Sequence, residues 1–131
     1  MIRRPILALL LALSFDAAAQ RTIPVTMDDT MRYAPSEITV KAGEKVRFVA
    51  TNKGQLVHEM VIGTKKELEE HAEHMRKHPQ MEHHHSKNTV SVAPGKTGEL
   101  TWTFPRAGTS YYGCLEPGHF EAGMVGKIVV Q

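Results

Sequence analysis

An all-β sandwich of about eight short strands, interrupted by one helix, is the fold this sequence predicts. Three observations predict it. Short runs rich in Val, Ile, Thr and aromatic residues, many of them alternating, recur along the chain. Turn-forming clusters separate them: Ala42-Gly43, Asn52-Lys53-Gly54, Ala93-Pro94-Gly95 and Ala107-Gly108. The length of 131 residues, 41% of them hydrophobic, suits one modest domain and excludes both a two-domain enzyme and a disordered chain. Strands at this spacing predict two antiparallel sheets joined by Greek-key links.

The elements follow in order. Residues 1–19 read as a cleaved secretory signal: Arg3 and Arg4 give a positive start, residues 5–15 are apolar, and Ala17-Ala18-Ala19 offers a small-residue cut site. That apolar run of about eleven residues is short of the roughly 20 that span a bilayer. The expectation is therefore one domain over residues 20–131, exported to the periplasm or the exterior, with no membrane anchor after cleavage. Strands are predicted over residues 22–27, 37–41, 45–51, 56–62, 89–92, 99–104, 110–114 and 127–130.

One stretch, residues 64–87, breaks the pattern as a helical insertion. Thr64-Lys65-Lys66-Glu67 is a capping box, and a helix over residues 65–78 follows, stopped by Pro79. Leu68, Ala72 and Met75 form its apolar stripe, suited to packing on the sandwich. His71, His74 and His78 lie on one arc beside that stripe. Met81, His83, His84 and His85 follow in a predicted loop.

Sixteen Lys+Arg against fourteen Asp+Glu give +2, with no basic block to bind nucleic acid. The uneven counts are eight His, seven Met and one Cys. Exported proteins use cysteines in pairs, so a lone Cys114 needs burial, a partner chain or a metal to explain it. A buried, inert thiol is the plain alternative.

The residues around Cys114 bear on that choice. Cys114-Leu-Glu-Pro-Gly-His119-Phe-Glu-Ala-Gly-Met124 places a thiolate, an imidazole and a thioether in one turn-rich loop between two strands. His58 stands on an upstream strand, with Glu59 and Met60 beside it. Two imidazoles and a thiolate with a weak axial thioether form the donor set of blue copper sites. Zinc accepts His and Cys but gains little from Met, and divalent copper outranks zinc in affinity. Copper is the expected ion. Met60 is read as core, and Met124 either as the axial donor or as packing. Met27 and Met31, flanking Asp28-Asp29, are read as packing or chance, with an accessory copper role as the lesser alternative.

At these residues the sequence resembles the cupredoxins, the plastocyanin and azurin superfamily, and most of all periplasmic cupredoxins associated with copper tolerance. The resemblance spans nearly the whole chain after the signal. It is carried by the Cys114 to Met124 loop with His58 upstream, and by Tyr33-Ala34-Pro35-Ser36-Glu37-Ile38, Ala42-Gly43-Glu44-Lys45-Val46 and Thr51-Asn52. It implies a Greek-key β-sandwich and one type 1 copper held by His58, Cys114, His119 and Met124. Two departures stand out: the His/Met-rich helical insertion, and a charged Glu59 next to His58.

The function expected is copper tolerance through sequestering, oxidising or passing on copper, with a redox or copper-exchanging protein of the periplasm as partner. The alternative is a mobile electron carrier docking through the apolar surface around Pro117, His119 and Phe120. The chain is expected to be a monomer and not an enzyme, since no nucleophile–base pair, paired acids or phosphate loop is present. Cuprous oxidation at a second copper is the one enzymatic reading. The histidines of the insertion (His71, His74, His78, then His83, His84 and His85 with Met81) read either as a second copper or zinc site or as a solvated face.

Overall fold

The computed structural model describes residues 20–81 and 86–131. The expected signal (residues 1–19) and His83, His84 and His85 lie outside the described residues. The chain forms β1 (Arg21–Asp28), β2 (Arg32–Ala34), β3 (Glu37–Val40), β4 (Lys45–Asn52), β5 (His58–Gly63), α1 (Lys65–Lys77), β6 (Thr89–Val92), β7 (Thr97–Thr103), β8 (Gly108–Gly113) and β9 (Val125–Val130). One sheet has the order β2-β1-β4-β7, the other β3-β9-β8-β5-β6. The expected sandwich with one helical insertion is present.

Two details correct the expectation. Among the described residues nine strands form where about eight were expected, because the three-residue β2 folds back on β1, pairing Met27 with Tyr33. Its turn passes through Met31 at φ 61°, so no Gly or Asn marks it in the sequence. The sheets are also not wholly antiparallel: β1 runs parallel to β4, and β3 parallel to β9. A period of two reports which face a residue takes, not the direction of its neighbour.

Alternation fills the core. On β4, Val46, Phe48, Ala50 and Asn52 are buried between less buried neighbours. Ile23, Val25 and Met27 of β1 and Ile128 and Val130 of β9 complete the inner faces. Met27 and Met60 are both fully buried there, and Met31 packs against the edge, as expected for packing residues.

Strand β5 does not alternate: its first five residues are all buried. Met60 and Ile62 face the inter-sheet core, while Val61 faces a second cluster with Leu68, Ala72 and Met75 of α1 and Leu115. A strand covered on both faces reads as a continuous apolar run. The capping box forms as predicted, with the Glu67 N–H donating to Thr64 Oγ1 at 3.2 Å and the Thr64 N–H donating to Glu67 Oε2 at 2.8 Å. The helix ends at Lys77, one residue earlier than expected, with His78 as its C-cap. The strand expected from residue 56 starts at His58; Leu56 and Val57 stay exposed ahead of it.

Candidate metal centre

Register brings the centre together. β8 and β9 pair through Gly113 and Val125, so Cys114 and Met124 lie opposite each other just beyond the ladder. The Cys114 N–H donates to Met124 O at 3.1 Å, closing the loop at its base. Within it, the His119 N–H donates to Glu116 O at 3.0 Å and the Met124 N–H to His119 O at 3.1 Å, which ties the histidine back toward the thioether residue. The loop turns at Gly118 (φ 85°) and Gly123 (φ 100°), a left-handed backbone that glycine adopts without strain. At Gly123 a side chain would also meet the Arg32 guanidinium, whose Nη1 donates to Ala122 O at 3.2 Å.

β5 pairs with β8 on its other side, bringing His58 to the same end of the sheet. His58 Nδ1 lies 4.0 Å and His119 Nδ1 3.4 Å from Cys114 Sγ. One donor atom from each of the three residues falls within 4.8 Å of the others, and no second such group of His, Cys, Asp or Glu forms among the described residues. His58, Cys114 and Met124 are fully buried, while His119 is half-buried and reaches solvent. The four residues singled out in the sequence thus gather at one end of the sandwich.

The surroundings act on the Cys114 sulfur in opposite directions. Burial pushes the Cys114 thiol up to about 12, so without a metal ion the sulfur keeps its proton at neutral pH. The Glu59 N–H aims at Cys114 Sγ from 3.4 Å, and a second backbone N–H, at Glu116, also favours the thiolate. Burial first, then the neighbouring His58, holds the His119 imidazole below its ordinary range, in its neutral ligating form.

Two supports lay beyond sequence reasoning. Asp29, in the β1–β2 turn, accepts from His58 Nε2 at 2.8 Å, which leaves Nδ1 with its lone pair toward Cys114. Oδ2 of Asp29 accepts from the Gln55 N–H at 2.7 Å. Gly54 is required there: a Cβ would sit 2.0 Å from Asp29 Oδ1. Glu59, read in the sequence as a charge near the site, is a bracket. Its carboxylate accepts from the Leu115 N–H at 3.1 Å and its carbonyl from the Tyr33 hydroxyl at 2.6 Å. Its carboxylate thus holds the ligand loop, and its carbonyl ties β5 to β2.

The donor set and its geometry fit copper, and residues 20–131 match the copper binding proteins of the plastocyanin/azurin family. The chain belongs to that family. Among family members, a copper-resistant cuproprotein CopI of Rubrivivax gelatinosus is 54% identical over 115 residues, covering 88% of this chain and 69% of that protein. A copper-resistant cuproprotein CopI of Pseudomonas aeruginosa is 39% identical over 146 aligned positions, covering 88% of this chain and 78% of that protein. The reduced auracyanin of Roseiflexus castenholzii superposes with a TM-score of 0.73 at 21% identity, covering 86% of this chain and 98% of that one, and so shares the fold.

The centre is a type 1 copper site of this plastocyanin/azurin-family protein, with His58, Cys114, His119 and Met124 as ligands. Copper supplies one-electron exchange when bound there. The protein's part is rigidity: two strands, a hydrogen-bonded loop and the Asp29 and Glu59 braces hold the donors whatever the oxidation state. The insertion residues lie elsewhere. His74 and His78 sit side by side at the end of α1, while His71, one turn earlier, lines a hollow with Val61, Leu68 and Trp102.

Proposed function

We propose that this blue copper protein is exported and serves copper tolerance, holding or passing on copper in the periplasm. The observation that carries this reading is the 54% identity, across 88% of the chain, to a protein named for copper resistance. The signal-like residues 1–19 support export. We read the protein as a non-enzyme: a type 1 site with four protein ligands keeps no position for substrate. Its partner, on this reading, is a protein that exchanges electrons or copper with the half-exposed His119 side of the centre.

A second reading, a mobile electron carrier, is favoured by one feature. Leu56 and Val57 just before His58, and Val125 just after Met124, are exposed apolar side chains flanking ligands, as a transient docking face requires. Deleting the gene separates the two. Copper tolerance predicts cells that fail in excess copper, rescued by the parent gene and not by Cys114→Ser. Unchanged growth in copper, with slowed respiratory or photosynthetic electron flow, favours the carrier. Recovery of the protein in the cytoplasmic fraction contradicts export.

A further inference from the structure

A second set of soft and nitrogen donors gathers on the insertion. His74 lies in the last turn of α1 and His78 caps it, so the two rings, four residues apart, share one face. Their centroids are 4.7 Å apart. Beyond the helix the chain turns back, the Met81 N–H donating to His78 O at 3.0 Å. That turn lays the Met81 thioether on His74, with Sδ 3.1 Å from Nε2. Met81 remains 39% exposed, so packing does not account for its position.

The setting favours a cation. A helix C-terminus carries partial negative charge. The basic neighbours are already engaged, Lys77 with Glu73 at 2.6 Å and Arg76 with Glu121 at 3.8 Å. Bonds of about 2.0 Å to nitrogen and about 2.3 Å to sulfur place two donors on one ion roughly 3.5 Å apart. The observed 3.1 Å needs only a small opening of exposed side chains. Two neutral imidazoles with a thioether form a soft set, suited to cuprous ion, whereas a thioether adds little for zinc.

We propose that His74, His78 and Met81 form a second, solvent-exposed site for Cu(I), separate from the buried type 1 centre. It goes beyond the function proposed above, since it stands whether the protein serves tolerance or electron traffic. Exposure makes it an exchanging site, in contrast to the braced and buried centre.

The test uses the holoprotein with its type 1 copper in place and reduced, so that only further ions are counted. Anaerobic titration with Cu(I) against a chromophoric cuprous chelator is expected to give one further equivalent per chain. The double change His74→Ala with Met81→Leu is expected to remove it while the far-UV circular dichroism and the visible band of the oxidised centre stay as in the parent. Three results overturn the proposal: no further equivalent in the parent, retention of the equivalent in the double variant, or uptake of zinc in place of Cu(I). Loss only on changing His83, His84 and His85 to Gln counts as the second of these.

Discussion

Asp29 shows how a single side chain far from Cys114 in sequence sets the centre. Its carboxyl lies below the usual range, held there first by the Gln55 N–H and then by the His58 ring, so it is a charged acceptor at neutral pH. Removing the group that orients a ligating imidazole costs roughly 10–100-fold in metal affinity. Asp29→Ala is expected to lose copper affinity in that range in a chelator competition, and Asp29→Asn, which keeps an acceptor oxygen, to lose less; equal affinity in all three proteins contradicts the role. Cys114 makes a second prediction. Its ordinary value is 9.0 and burial raises it to about 12. An unfolded chain therefore releases the proton near pH 9 while the copper-free fold keeps it to about pH 12. The stability this contributes is complete below pH 9 and is lost as pH rises from 9 toward 12, at most about 4 kcal/mol. Denaturant unfolding of the copper-free protein should show the parent weakening relative to Cys114→Ala across that window. Parallel curves contradict it.

The helical insertion is integral to the element that carries the ligands. Leu68 and Met75 bury against Val61 and Leu115, and Phe120 of the ligand loop packs on the same cluster. The Arg76–Glu121 pair adds a surface tie between helix and loop. Leu68→Ala is expected to cost roughly 2–5 kcal/mol in unfolding free energy, as buried Leu truncations do, and to speed copper loss because Leu115 follows Cys114 directly. A loss within about 0.5 kcal/mol, the scale of surface changes, would mark the helix as a loose attachment. This element was also the most legible in the sequence. Capping box, apolar stripe and terminating proline are all local signals, readable without knowing what they pack on. β2 was not legible, because three residues and a left-handed Met31 carry neither periodicity nor a glycine turn. The burial of β5 on both faces erased the alternation that would have fixed its start.

At the scale of the molecule, the ligand set was readable and its arrangement was not. Cys114, His119 and Met124 share one loop, so their spacing reveals a chelating unit, and a site needing a second imidazole points to His58. Asp29 belongs to the turn between β1 and β2, and only the packed sandwich carries that turn to His58. Strand direction is likewise a property of the assembled sheets: the parallel pairs β1–β4 and β3–β9 join segments whose patterns alone do not orient them. The sandwich thus makes a metal site from a strand start, a hairpin loop and a remote turn. Copper titration of the purified chain, followed by visible absorption and metal content, tests that claim most directly. An intense thiolate-to-copper band that saturates at one equivalent and is absent from Cys114→Ser is the predicted result. A chain that takes up copper with no such band, or a band that survives the loss of the sulfur, would contradict it.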